Sequence, residues 1–395
     1  MHPAARALIA VLATAATACS RCDASAPSGA ADGGTVEVDL PAASPLVWPA
    51  LEPRSSPQGI GLPEPCRAEL PWHEADFGER RVRFVAAPHA LDELALVELG
   101  DGERATARGV RTLPTGAPRE LPWTVGAPPP LDVSARGWVA ALTLPAADGE
   151  RQAVLWREWG PALGLARGDQ LVAEDVRCSG ELCAVLSTLA QRTLGPGATL
   201  SFSDGTAPVA IEAPVDEAWR PLCIARLQAS PARARVALTA PGKTALWEIA
   251  DNRATRSEPL FDTPHGSYEV TDAPRSLVVA AGAPPDEPCV DHFPIVVHGG
   301  QGGPLTLRAS GPPRGVFARA VGELTLVAWL APAACRLTER TVVTAVVLDA
   351  RGRPRSTPMT VSEAQGFAIA TRGDRFALWL LRDRRLAWVT GRCAT

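Results

Sequence analysis

Asp175 to Glu212 reads DVRCSGELCAVLSTLAQRTLGPGATLSFSDGTAPVAIE. Val176-Arg177-Cys178 runs into Ser179-Gly180-Glu181, and Leu182 to Leu189 returns as an apolar run. A Gly/Pro loop follows, and Ser203-Asp204-Gly205 then turns between two short β-rich pieces. Gly supplies the left-handed backbone of tight turns, and Ser and Asp bond back to the main chain there. The stretch is therefore a meander of four strands.

Similar strand-turn-strand units recur outward from it. Their leading apolar runs begin at Leu94 (LALVEL), Trp138 (WVAALTL), Val176, Leu222 (LCIARL), Leu277 (LVVAAG), Val316 (VFARA) and Phe367 (FAIAT). The mean spacing of about 45 residues is that of four short strands with their turns, as in a propeller blade. No long 3.6-residue periodicity with caps follows residue 76. In Arg375 to Leu381 both odd and even positions are apolar, and Glu323 to Leu330 behaves likewise. A sheet with one wet face alternates instead. Sheets stacked face to face around an axis bury both faces, and a pair of β-sandwiches is the alternative. The fold expected is all-β, a β-propeller of seven blades, with six and eight still open. The last unit holds three strands, Phe367–Thr371, Arg375–Leu381 and Leu386–Thr390. Val82 to Ala87 is expected to supply its fourth and close the ring, which removes exposed edges.

Composition narrows the partners. The 395 residues carry a formal net charge of −4, and Lys243 is the only lysine among 39 basic residues. Nothing in that balance attracts nucleic acid or anionic lipid. No cofactor pattern is present.

Residues 1–18 read as a signal peptide, with Arg6 ahead of the apolar stretch Ala7 to Ala18. That stretch is too short to span a bilayer. Ala16-Thr17-Ala18-Cys19-Ser20 resembles the lipobox of bacterial lipoproteins, departing from it at Ala16. The resemblance implies lipid attachment at Cys19 and anchoring to the bacterial cell envelope, at the outer membrane. An ordinary A-x-A cleavage that releases a soluble protein stays open. Nine cysteines less Cys19 leave eight, an even number suited to an oxidising compartment. Residues 19–75 are Pro, Ala, Ser and Gly-rich and are expected to be a tether, within which Thr35 to Leu40 alternates strictly, as a strand or by chance. Residues 76–395 are the expected propeller domain.

Cys178 and Cys183 flank a four-residue turn, so a hairpin disulfide is expected. A metal would need a second pair or nearby His at suitable spacing, and none is present. The pairing of Cys22, Cys66, Cys223, Cys289, Cys335 and Cys393 is open. Ser203-Asp204-Gly205-Thr206 resembles the Asp-box turn of sialidase-like propellers, although the spacing is compressed and the closing aromatic is replaced by Pro208 or Val209. The chain as a whole resembles Asp-box or WD-repeat-type propellers. In the sialidase family the box is structural. Its chemistry would need a tyrosine with a carboxylate partner and clustered arginines. Tyr268 beside Glu269 is the only tyrosine, and no arginines can be grouped from the sequence.

Other patterns have plainer readings. Ala237 to Thr244 matches a loose phosphate-loop pattern, but a strand follows where a helix is required, and Pro241-Gly242 suits a type II turn. His298-Gly299-Gly300-Gln301-Gly302-Gly303 is similar to an esterase oxyanion loop, yet no G-x-S-x-G elbow accompanies it. Asp286, Glu287, Asp291 and His292 read as solvated loop charges rather than metal ligands. Arg167–Asp169 and Arg372–Asp374 are Arg-Gly-Asp turns between strands. No catalytic, cofactor-binding or metal residue is assigned. The function expected is an envelope scaffold or binding module for a protein or glycan. A sialidase-like hydrolase or lyase, and a structural assembly component, are the alternatives.

Overall fold

The structure is a computed structural model. It describes residues 36–40, 54–55, 61–76, 82–85, 91, 94–98, 107–112 and 119–125, and 129–394 except 147–148, 170, 189–196, 215–217, 264–266, 272–275, 282–292, 335–339 and 383. Cys19, Cys22, Cys289, Cys335 and the loop charges from Asp286 to His292 lie outside the described residues. No helix among the described residues is long and apolar enough to cross a membrane.

The described strands form seven antiparallel sheets, numbered I to VII here in order of their first strands. Sheet III is the meander, running Ala173–Ser179, Leu182–Thr188, Gly197–Phe202 and Val209–Glu212 in chain order. Gly180, at φ 64°, makes its first turn and leaves Cys178 directly opposite Cys183. Sheets I, II, IV, V and VI start at Val82–Val85, Leu131–Ser134, Arg220–Gln228, Ser267–Thr271 and Gly315–Val321. Sheet VII starts at Gly366–Arg372. The apolar runs that head the units in sequence are second strands at Leu94, Trp138 and Leu277, and first strands elsewhere. Where the first strand is short or carries an acid, its successor is the more apolar of the two.

The first strands lie side by side from sheet II through sheet VII, and the first strand of sheet VII lies beside that of sheet I. Apolar clusters fill the spaces between sheets. Val139 and Leu155 of sheet II meet Val176 and Val185 of sheet III. Leu186 and Phe202 of sheet III meet Val236 and Trp247 of sheet IV. Trp379 and Trp388 of sheet VII meet Leu94 of sheet I. This is a propeller and not a pair of sandwiches. Its geometry explains the doubly apolar strands, for all nine residues of Leu324–Pro332 are buried.

Closure differs from the sequence expectation. Val82–Val85 pairs with Leu94–Glu98 and belongs to sheet I. Sheet VII is completed by His73–Asp76 and Cys66–Ala68, both antiparallel to Arg385–Cys393. Residues 66–75, read in sequence as part of the tether, are thus in the ring. His73 stacks on Trp388 at 5.6 Å between ring centroids. Gly391 permits the approach, since a Cβ there would lie 2.7 Å from the Arg67 carbonyl oxygen and 2.5 Å from the Phe376 ring. Cys66 is bonded to Cys393. Val36–Val38 adds a fifth strand to sheet II, on Gly160–Gly168.

The other bond described joins Cys178 to Cys183. They are five positions apart in sequence, so the bond removes little freedom from the unfolded chain. Replacing both by Ser is expected to lower unfolding free energy by roughly 1–2 kcal/mol and leave the protein folded. Urea titration of the two proteins checks this.

Candidate functional site

The first strand of each sheet lines the axis, and three of them carry an acid followed by valine. These are Asp132-Val133 in sheet II, Asp175-Val176 in sheet III and Glu269-Val270 in sheet V. Each acid reaches forward to the next sheet. The Asp132 carboxylate accepts the Cys178 amide at 2.7 Å, and that of Asp175 accepts the Ile224 amide at 2.7 Å. Glu269 pairs with Arg319 of sheet VI at 2.7 Å, with both side chains largely buried. The second oxygen of Asp132 accepts the Val133 amide, and that of Asp175 accepts the Val176 amide. Inner strands have an unpaired edge toward the axis, and these acids satisfy part of it.

Burial dominates the electrostatics here. It pushes Asp132 up to about 6, against the pull of Arg177 and two backbone amides. Burial likewise pushes Asp175 up to about 6, opposed by Arg177 and the Ile224 amide. For Arg177 burial works against the charge, but Asp175 and then Asp132 outweigh it and hold the guanidinium cationic. Cys223 is unbonded, and burial, with Glu269 and Asp175, drives its thiol well above the ordinary range. It is not a nucleophile in this state.

A cavity of about 610 Å³ opens where the first hairpins of the sheets turn. Its lining includes Val133 and Ser134 from sheet II, Arg177 and Ser179 from sheet III, Arg226 from sheet IV and Arg372 from sheet VII. Residues from four of the seven sheets meet only across the axis. Cys178 also lines it, so the hairpin bond sits in the cavity wall. Neighbouring turns are tied there: the Ala135 amide donates to the Gly180 carbonyl at 3.0 Å, and Arg136 pairs with Glu181 at 2.8 Å. Asp132 and Asp175 are behind the lining and spend both oxygens on backbone amides. Arg177 is in the lining, and its Nε is buried without a hydrogen-bond partner.

The sequence patterns fall as follows. Ser203-Asp204-Gly205-Thr206 is the turn between Gly197–Phe202 and Val209–Glu212, with the Thr206 amide on Asp204 at 3.0 Å. It does not line the cavity, but Ser203 is hydrogen-bonded to Cys183, the disulfide partner of Cys178 in the cavity wall. Ala237 to Thr244 is a hairpin, Ala240 opposite Lys243, and cradles nothing. Gly299 to Gly303 joins Phe293–His298 to Leu305–Ala309, and the Gln301 amide bonds to the Arg351 carbonyl of sheet VI at 2.8 Å. In Arg372–Asp374 the Gly373 carbonyl accepts the Gly322 amide at 2.7 Å, tying sheet VII to sheet VI. Among the described residues no group of His, Cys, Asp and Glu is arranged to hold a metal. The arginines at the axis went unassigned in sequence because they are far apart along the chain. The recurring acid-valine pair, at about one and then two unit lengths, was the signal available for the axial strands.

No family model matches this chain, and no curated protein matches it. Similar solved structures include a subtype N10 neuraminidase-like protein of A/little yellow-shouldered bat/Guatemala, 10% identical, with 78% of this chain and 93% of that one covered and a TM-score of 0.40. AofleA from Arthrobotrys oligospora is 12% identical over 74% of this chain and 90% of its own, with a TM-score of 0.39. An Aleuria aurantia lectin in complex with alpha-methyl-L-fucoside is 9% identical over 73% of this chain and 96% of its own, with a TM-score of 0.39.

Proposed function

We propose that this protein is an exported binding module, anchored to the cell envelope through a lipid on Cys19, that holds a glycan at the mouth of its propeller. The observation that carries the reading is the axial cavity, whose volume falls in the range of small-ligand sites. A protein partner is the weaker choice. Among the described residues the exposed large apolar side chains are Val36, Leu70 and Leu260, scattered singly, and a protein interface is built around clustered apolar anchors. Binding is favoured over turnover because the carboxylates nearest the cavity are committed to main-chain amides. Two disulfides suit an oxidising compartment.

A glycan array probed with the exported protein tests the reading. Retention of specific saccharides without change in their mass is expected. Cleaved products would move the assignment to the hydrolase alternative, and an array without signal would remove it. Cys19→Ser is expected to release the protein from the membrane fraction, because in this reading the acyl chains hold it there. A mature N-terminal cysteine that carries no lipid by mass spectrometry would contradict the anchor.

A further inference from the structure

We infer that Val36–Val38 is a displaceable strap, held in a strand-acceptor site on the outer edge of sheet II, whose docking limits how far the ring stands from its anchor. The site takes an extended segment of alternating apolar and acidic residues. It stands on its own geometry, and the spacing role alone rests on the lipid at Cys19. The fourth strand of the sheet, Gly160–Gly168, has nine residues, and the strap covers three of them. Val36 is opposite Gly164, Glu37 opposite Leu163 and Val38 opposite Ala162. In strand addition the main chain supplies affinity and alternate side chains supply specificity. Three features of this edge fit the segment. Val38 and Leu40 pack against the cluster that holds Trp138, Trp156 and Ala162. Gly164 leaves room for the strap, since a Cβ there would lie 3.1 Å from Val38 Cγ2 and 2.1 Å from Gln152 Nε2. Arg157 is folded onto the Pro161 carbonyl by bonds of 3.2 and 3.0 Å. Burial works against its charge there, and Glu37 opposes that effect.

The hold is slight enough to release. The strap is three residues long, Val36 is 57% exposed and Val38 is half-buried. The few bonds and apolar contacts it gains are of the same size as the freedom it loses. Docking changes a distance. A chain spans at most about 3.5 Å per residue. Val36 is 17 positions from Cys19, so a docked strap keeps the edge of sheet II within about 60 Å of the anchor. With the strap released, the first attachment is Arg54–Ser55 on His73–Asp76 of sheet VII. Arg54 is 35 positions from Cys19, and the limit becomes about 120 Å.

A labelled peptide with the sequence of residues 35–40, Thr-Val-Glu-Val-Asp-Leu, tests the acceptor site by fluorescence anisotropy on the full-length protein. Val38→Asp removes the apolar contact of the strap and should empty the site while leaving the ring folded. The peptide is expected to bind this variant about tenfold more tightly than wild type, which fills the site itself about nine-tenths of the time. Hydrogen exchange should show the amides of Gly160–Gly168 protected again when the peptide binds. A peptide with Lys in place of Glu should bind the variant more weakly, because it brings a like charge to Arg157. Equal affinity for the two proteins, protection elsewhere, or no binding to either at millimolar concentration would overturn the acceptor site. Equal affinity for the two peptides would overturn the acid preference. A wild-type dimer in sedimentation that Val38→Asp dissolves would give the strap to a second copy and overturn docking within one chain. Neutron reflectometry of the lipidated protein on a supported bilayer reads the spacing, and the ring of Val38→Asp should stand further out than that of wild type. An unchanged height with lipid present on Cys19 would overturn the spacing role. Absence of the lipid would overturn the anchor and leave the acceptor site intact.

Discussion

Replacing Cys66 and Cys393 together by Ser is expected to remove about 5 kcal/mol of stability, enough to leave the protein barely folded at body temperature. The bond joins residues separated by 327 positions, so its loss frees nearly the whole folded chain in the unfolded state. The hairpin bond at Cys178 and Cys183, closing only a few residues, should have a far smaller effect. What the long bond holds is the seam of the ring. Cys66–Ala68 and His73–Asp76 pair with opposite ends of Arg385–Cys393. Glu69 pairs with Arg375 at 2.8 Å, and Glu74 with Arg385 at 2.8 Å. These ion pairs are partly exposed and contribute little each. Removing residues 61–76 as well should abolish cooperative unfolding, because Arg385–Cys393 becomes an open sheet edge and its buried Trp388 loses the His73 ring stacked on it. Urea titration followed by tryptophan fluorescence reads both effects. An unchanged midpoint in the double Ser variant would mean that the seam is elsewhere.

Asp132→Ala should destabilise the protein by about 3 kcal/mol. It leaves the Cys178 amide without its acceptor and takes one compensating charge from buried Arg177. The effect should depend on pH in a definite direction. The folded-state value of about 6 lies above that of an unfolded aspartate, so the folded protein holds a proton that the unfolded chain has lost. The contribution of this group is full below the unfolded value and declines as pH rises through the folded one. The gap between wild type and Asp132→Ala should therefore widen by about 1 kcal/mol between roughly pH 7.5 and pH 5. A gap that narrows on acidification would show that Asp132 is not buried beneath the cavity.

Much of the architecture was legible because burial writes itself into composition. Arg375–Arg382 and Leu324–Pro332 are apolar on both faces since each is sandwiched between neighbouring sheets. Turn chemistry marked the hairpins, with Ser179-Gly180-Glu181 the clearest. The seam was misread for a related reason. His73–Asp76, on the outer side of its sheet, has a single fully buried residue, Ala75, and reads as polar chain. Val82–Val85 is more apolar and drew the assignment. Pairing of Cys66 with Cys393 depends on closure of the whole ring and leaves no local trace. The cavity was illegible on the same grounds, for Arg177 and Arg372 become neighbours only when the ring has closed. Arg177 stands between Val176 and Cys178, but Arg226 and Arg319 are flanked by apolar residues in the same way, so its neighbours in sequence do not single it out.

The most direct test of an axial ligand site is to fill it. Ser179 lines the cavity at the end of the first strand of sheet III. Ser179→Trp, compared with wild type on the same glycan array and in the same thermal melt, should lose saccharide binding while melting at nearly the same temperature. A variant that melts as wild type does and still binds the same saccharides with unchanged affinity would place the ligand away from the axis.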